Sequence, residues 1–180
     1  MAGEGNQVDA REDFEAFARA RWLPLLRTAT LLTGDAHAAE DLVQETLARA
    51  AQRWSVVSAA GSPEAYVRRI LYTRSVDAWR WRRHQPDPVE VSERLGSSAP
   101  DEAVTADARL ALADALARLT PRQRAVLVLR FYEDRTERES AEVLGCSVNT
   151  VKSQTRHALE RLRVLSPELA HTFGRKEVRR

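Results

Sequence analysis

The chain has 180 residues, of which 30% are charged and 43% are hydrophobic, so it can bury a core and is not too polar to fold. Its single cysteine, Cys146, excludes a disulfide-stapled secreted scaffold and any zinc site with two cysteine ligands. The net charge is only +2, from 28 basic and 26 acidic side chains. Neither a secretory signal nor an apolar stretch of bilayer length is present, so we expect a cytoplasmic protein.

Helical periodicity recurs along the chain without sustained strand alternation, which predicts an all-α fold. In the first lobe we expect three helices, over about residues 13–32, 36–54 and 63–83. Pro24 should kink or break the first helix, Asp35 caps the second, and residues 55–62 form a loop. One side of the second helix is apolar and should face the core: Ala39, Leu42, Val43, Leu47 and Ala50.

The two lobes are joined by an acidic segment. Residues 85–108 hold three prolines and six acidic side chains against the single base Arg94, for a net charge of −5. This composition predicts a flexible linker that becomes helical somewhere after Pro100.

The second lobe contains strong helix-start signals. A helix over residues 110–119 opens it, and capping boxes at Thr120 and Thr136 start two more, one reaching about Tyr132 and the other ending at Gly145. Ser147 caps a last helix to about Leu165, and residues 167–180 are predicted to be a disordered tail.

The last two helices have the proportions of a helix-turn-helix. Ala141 is small enough for close approach of the helices, Gly145 tolerates positive φ in the turn, and Val151 returns the second helix to the core. An ordinary helical hairpin is the alternative interpretation.

The outward face of the last helix carries polar and basic side chains. Its members are Asn149, Thr150, Ser153, Gln154, Arg156 and His157, with Lys152 at the border. Short polar groups near the helix N-terminus with cations beside them are typical of a helix that enters the major groove of DNA. A merely solvated face is the alternative.

The third helix of the first lobe is strongly basic. Between Tyr66 and His84 it has six arginines against Asp77. On a helical wheel the core face comprises Tyr66, Val67, Ile70, Leu71, Ala78 and Trp81. The opposite face comprises Arg68, Arg69, Tyr72, Val76, Trp79, Arg80 and Arg83. Arginines interleaved with aromatic rings suit phosphates and unstacked bases, so we expect a second surface for separated strands. Alternatively, Tyr72 or Trp79 packs on another helix.

Together these features resemble an extracytoplasmic-function (ECF) sigma factor, the minimal two-domain form of the sigma-70 family, over residues 14–165. The most specific segment, AEDLVQETL at residues 39–47, resembles region 2.2 of that family, which docks on the clamp helices of the polymerase β′ subunit. The resemblance implies docking by Asp41, Leu42, Gln44 and Glu45. From the residues alone, an acidic solvated face is the other interpretation.

Residues 63–83 resemble regions 2.3 and 2.4, which melt and read the −10 promoter element, and residues 56–62 resemble the loop that captures a flipped base. The implied −10 residues are Val56, Ser58, Ser62, Arg68, Arg69, Tyr72, Trp79, Arg80 and Arg83. Residues 116–130 resemble the start of region 4, which engages the β flap. The helix-turn-helix would be region 4.2, with the outward face described above reading the −35 element.

The resemblance implies a region 2 domain at 12–84, the linker at 85–108, a region 4 domain at 109–166 and the tail at 167–180. The implied function is a sigma factor, not an enzyme, with core RNA polymerase and promoter DNA as partners and without cofactor, metal or membrane. An anti-sigma factor is left open as a further partner.

Two other functions fit parts of the sequence. A stand-alone helix-turn-helix regulator needs neither polymerase docking nor strand opening. A hydrolase with a histidine base is opposed by the scattered positions of the four histidines and the lack of a nucleophile elbow. Cys146 is interpreted as a small core residue, with a redox sensor as the alternative.

Overall fold

The computed structural model describes residues 3–82 and 106–167, with side chains at 10–77 and 112–167. Every regular element in those ranges is helical, which confirms the all-α prediction. The helices are α1 (Gly3–Thr33), α2 (Ala36–Ala51), α3 (Trp54–Ala59), α4 (Pro63–Arg82), α5 (Ala106–Ala117), α6 (Pro121–Leu127), a π-helical segment (Val128–Tyr132), α7 (Glu137–Leu144) and α8 (Val148–Leu165). The predicted linker lies outside the described residues up to 105, and so does the tail from 168 onward.

The predicted helix starts are confirmed by their hydrogen bonds. The carboxylate of Asp35 accepts from the Ala38 amide at 2.7 Å at the start of α2. Thr120 and Thr136 both form complete capping boxes, and the Ser147 hydroxyl accepts from an amide in the first turn of α8. Each cap satisfies a backbone donor that has no partner inside its helix, so these residues define where the helices begin.

Two expectations about the first lobe are corrected. The helix α1 is not broken at Pro24, because its neighbours Leu25 and Leu26 pack on the core, and this packing holds the helix together despite the hydrogen bond lost at proline. A kink at Pro24 stays a prediction. Residues 54–59 form α3 instead of a loop. Trp54 fixes this turn: its ring packs on two phenylalanines of α1 and its indole N–H donates to Asp13 at 2.9 Å.

The largest core joins both lobes. In it α1, α2 and α4 pack together and against the beginning of the second lobe. The buried members are Ala29, Leu32, Ala39, Leu42, Val43, Leu47, Leu71, Tyr72, Ala125, Val128 and Leu129. Helix α7 adds two partly buried side chains, Val143 and Leu144. The two lobes therefore share apolar surface, which the acidic segment that joins them in the sequence did not predict.

The second lobe also has cores of its own. One is formed by α5, α6 and α8, including Leu116, Leu127 and Leu162. The other holds the helix-turn-helix together and consists of Val126, Ala141 and Val151. Gly145 adopts the left-handed conformation with φ of +61°. These observations confirm the predicted roles of Ala141, Gly145 and Val151.

The π-helical segment lies between these cores. Four consecutive residues, Val128 to Phe131, are buried, which a helix with one solvent-facing side would not produce. Leu129 belongs to the core shared by the lobes, and Phe131 belongs to the core of the second lobe. The wider π turn is thus covered on both sides.

Arg124 of α6 connects the lobes through backbone oxygens. Its guanidinium donates to the carbonyl of Leu32 at 2.7 Å, of Leu116 at 2.8 Å and of Ala117 at 3.0 Å. These carbonyls lie at the C-terminal ends of α1 and α5, where helices leave acceptors unpaired and favour a cation. A buried guanidinium therefore holds two helix ends together.

The capping box of α7 predicts a pH-dependent stability. Hydrogen bonds from the Thr136 amide and hydroxyl, and then from Arg135, lower the pKa of Glu139 from 4.5 to about 2. Because the folded pKa is the lower one, the carboxylate stabilises the fold above pH 4.5, and this contribution fades as the pH falls towards 2. We expect Glu139→Gln to lower the free energy of unfolding by about 0.3–1 kcal/mol at neutral pH, measured by urea denaturation.

Glu142→Gln is the matched control, since that side chain is exposed in the same helix. The difference between wild type and Glu139→Gln should shrink on acidification. A difference that stays constant down to about pH 3 would contradict the assignment.

Candidate nucleic-acid interface

The outward face of α8 is accessible. Asn149, Lys152, Arg156 and His157 are exposed, and Thr150, Ser153 and Gln154 are partly buried. On the opposite side Val151, Thr155, Ala158, Leu159 and Leu162 are buried. The helix thus presents the predicted polar set outward while its apolar stripe anchors it, which is the arrangement that groove insertion requires.

The cations on this face are only loosely held. The Lys152 ammonium lies 3.7 Å from Glu137, and the Arg156 guanidinium lies 3.8 Å from Glu160. Exposed ion pairs of this kind contribute little and are readily exchanged for phosphate. The hydroxyl of Thr150, by contrast, lies 2.9 Å from that of Ser147 within the cap.

The basic helix α4 differs from its prediction. Val67 and Leu71 are buried as expected, but Tyr72, placed on the solvent face by the helical wheel, is fully buried as well. The Arg68 side chain is only 16% exposed, and Arg69 is exposed. The prediction that Tyr72 and Arg68 face solvent is wrong, because the second lobe covers that side of α4. The side chains of Trp79, Arg80 and Arg83 lie outside the described residues.

Glu133 is the residue of the second lobe that meets this side of α4. Its carboxylate accepts from the Arg68 Nε at 2.7 Å, the Tyr72 hydroxyl at 3.1 Å and the Thr28 hydroxyl at 3.4 Å. Burial and then the negative charge of Glu133 raise the pKa of Tyr72 well above its ordinary value, so the phenol remains a donor. Arg68 also bonds Glu64 at 2.9 Å.

The segment before α4 remains open. Val56 is 71% exposed although it is apolar, Ser58 is partly buried and Ser62 is exposed. Gly61 has a φ of +74°, so the chain turns sharply between α3 and α4. The three residues implied by the resemblance as −10 contacts therefore lie beside the N-terminus of α4, with Val56 available for an apolar partner.

The acidic face of α2 is only partly as predicted. Asp41 and Gln44 are exposed. Glu45 is paired with Arg74 at 2.7 Å and with Arg49. Partial burial works to raise the pKa of Glu45, but the hydrogen bonds from these two arginines outweigh it and the pKa is lowered. Leu42 is 6% exposed in the shared core, so little of its side chain is accessible to a partner, and the docking role that the resemblance implies for it stays a prediction.

Sequence reasoning missed the residues that join the lobes. Thr28 lies in α1, Arg124 lies in α6 and Glu133 directly follows the π-helical segment, and no spacing rule relates them. The one signal available was Arg124 directly before the aliphatic run 125–129, since an arginine beside a buried stretch needs acceptors.

The part of the chain that the structure describes gives no support for a metal site, a membrane-spanning helix or a reactive cysteine. In residues 3–82 and 106–167, no three histidine, cysteine or carboxylate side chains gather as a metal would require, and none of the helices has the length and apolarity to cross a membrane. Cys146 is partly buried, and burial raises the pKa of its thiol, which disfavours the reactive thiolate.

Comparison with known proteins gives two family matches. The model described as Sigma-70 region 2 matches residues 17–85, and the model described as Sigma-70, region 4 matches residues 109–162. The RNA polymerase sigma-E factor of Streptomyces coelicolor is 40% identical over 152 residues, which are 84% of each chain. The ECF RNA polymerase sigma factor SigL of Mycobacterium tuberculosis is 38% identical over 152 residues, 82% of this chain and 85% of the relative.

A solved structure resembles most of the chain. The sigma factor RpoE of Bartonella quintana, in complex with the anti-sigma factor NepR, superposes with a TM-score of 0.69 and 25% identity. The match covers 87% of this chain and 98% of that one.

The burial of Leu42 separates structural from surface residues on α2. Leu42→Ala should lower the free energy of unfolding by about 2–4 kcal/mol, because it leaves a cavity in the shared core. Gln44→Ala, its exposed neighbour, should change it by less than about 0.5 kcal/mol. Urea denaturation followed by circular dichroism measures both, and a Leu42→Ala variant as stable as wild type would refute the packing.

Proposed function

The chain belongs to the sigma-70 family as an ECF RNA polymerase sigma factor, and on that premise we propose how its residues direct promoter-specific initiation. The first domain, residues 12–84, binds core RNA polymerase and the −10 element. The second domain, residues 109–166, binds the −35 element as duplex and contacts the β flap. The protein itself is not the catalyst, since bond formation belongs to the polymerase.

The observation that carries this proposal is the simultaneous exposure of two unlike faces. The helix α8 presents polar and cationic side chains from a firmly packed helix-turn-helix, which suits the major groove. The helix α2 presents Asp41 and Gln44 from a helix whose other side is buried, which suits a protein partner. A simple DNA-binding regulator would need only the first face.

The residues proposed to contact the −10 element differ in accessibility. Val56, Ser62 and Arg69 are exposed and could meet a separated strand in the present arrangement. Arg68 and Tyr72 could do so only after the second domain moves away, because both are covered. Ser58, Trp79, Arg80 and Arg83 complete the proposed surface.

An anti-sigma factor is a further proposed partner. The similar RpoE structure is a complex with one, and that match covers nearly the whole of the solved chain. Here the proposal rests on similarity of fold and family.

Polymerase docking is tested on α2. Replacing Asp41 and Gln44 together by alanine should abolish binding to purified core RNA polymerase without unfolding the protein, because both side chains are exposed. A pull-down measures binding, and run-off transcription measures specific initiation. The control replaces Gln52 and Glu142, which are exposed elsewhere, by alanine.

Undiminished affinity of the Asp41 and Gln44 variant would count against the docking assignment. Wild-type protein that never directs specific initiation with core enzyme would count against the proposed function, and would favour a stand-alone regulator.

Base reading is tested on α8. Arg156→Ala should weaken −35-dependent transcription by ~1–3 kcal/mol if the guanidinium contacts a base edge. The loss should be much smaller on a promoter with a scrambled −35 element. Arg163→Ala is the matched control, because Arg163 is exposed near the end of the same helix. An equal loss on both promoters would instead indicate a phosphate contact.

A further inference from the structure

The proposed nucleic-acid surfaces are not equally accessible in this structure. The outward face of α8 is open, and so are Asp41 and Gln44 on α2. On α4, however, Tyr72 is fully buried and the Arg68 side chain is only 16% exposed. The second domain therefore covers part of the −10 surface and leaves the −35 and docking faces free.

The covering contact is specific in its chemistry. Glu133 is 14% exposed, and a buried carboxylate is costly unless it is paired and hydrogen-bonded. All three donors that reach it belong to the first domain: Thr28 on α1, and Arg68 and Tyr72 on α4. The compensation of the Glu133 charge therefore depends on the first domain, and above all on the ion pair with Arg68.

Two further contacts also hold the two domains together. Arg124 donates to the Leu32 carbonyl at the end of α1 at 2.7 Å. Val128 and Leu129 of the π-helical segment are buried in the core they share with Leu71 and Tyr72. The second domain thus covers one side of α4 through both polar and apolar contacts.

The geometry points to a self-inhibited closed state, in which the second domain withholds Arg68 and Tyr72 from DNA and Glu133 is the latch. This inference rests on the proposed function of α4. The Glu133 carboxylate accepts from the Arg68 Nε, a donor that a phosphate oxygen would use instead in a complex with DNA, since a guanidinium pairs with either anion. Nucleic acid and Glu133 therefore compete for one guanidinium.

The closed state also sets an order of events. Polymerase docking through α2 and duplex binding through α8 can precede opening, because neither face is covered. Strand capture by Arg68 and Tyr72 must follow it. A free molecule would accordingly bind a −35 duplex but hold a separated −10 strand poorly.

The latch is tested on the free, full-length protein by hydroxyl-radical footprinting read by mass spectrometry. Tyr72 should be protected in the wild type, and Glu133→Ala should raise its labelling roughly tenfold or more, because one partner of a buried charge pair is lost. Tyr66, partly buried in the same helix, is the internal reference and should change little. Glu142→Ala, which removes an exposed carboxylate from the second domain, should behave like the wild type.

A second, milder variant at the same position distinguishes opening of the domains from loss of folding. Glu133→Gln keeps an oxygen for the Tyr72 and Thr28 hydroxyls, but it removes the charge and places an NH2 donor where the Arg68 Nε has its acceptor. Its labelling of Tyr72 should therefore be intermediate. Circular dichroism and urea denaturation establish that each variant is folded. Tyr72 labelled as strongly in the wild type as in Glu133→Ala, or protected in both Glu133 variants, would overturn the latch.

A binding measurement separates this inference from the proposed function. Its probes are a fluorescein-labelled single strand and a −35 duplex, both from a promoter on which the holoenzyme initiates. Glu133→Ala should bind the single strand roughly tenfold more tightly than the wild type and the duplex equally. If Tyr72 becomes labelled but single-strand binding does not change, the latch is supported and the −10 role of this face is refuted. If no promoter is found, footprinting alone decides the latch.

Discussion

A carboxylate that is largely withdrawn from water needs partners, and in this protein the hydrogen-bond donors that reach Glu133 come from the other domain. Glu133 directly follows the π-helical segment, where the second domain contacts α4. Three donors of the first domain form hydrogen bonds to its carboxylate. Because desolvating a charge is costly, the two domains can close only where these donors are in reach. The relative placement of the domains follows from this electrostatic requirement as much as from apolar packing.

The packing of the second domain against the first explains three other features of the structure. The π-helical segment is buried on both sides because it lies between the shared core and the core of the second domain. Arg124 can be buried because its guanidinium donates to carbonyls at the ends of α1 and α5. Tyr72 is buried with its hydroxyl satisfied, and burial beside Glu133 raises its pKa. For Arg124 and Tyr72, burying a polar group when the domains close is costly, and the hydrogen bonds of each side chain offset that cost.

For a sigma factor, such a closed arrangement has a functional meaning. The faces proposed to meet polymerase and duplex DNA stay exposed, whereas part of the face proposed for separated strands is covered. Because an ion pair between Arg68 and Glu133 is part of the interface, a competing anion such as the DNA backbone can displace the carboxylate from the guanidinium. The arginine that would bind DNA in the open form thus stabilises the closed form, which couples domain opening to strand capture.

The sequence by itself determined the local structure. Caps at Asp35, Thr120 and Thr136 and the left-handed turn at Gly145 were predictable, because each depends on hydrogen bonds within a few residues. Periodicity had already placed Leu42 inward, and only the resemblance assigned it to docking. What the tertiary structure alone decided is which outward face meets another part of the chain. The burial of Tyr72 and its bond to Glu133, 61 residues away, arise from packing between domains, which no helical wheel contains.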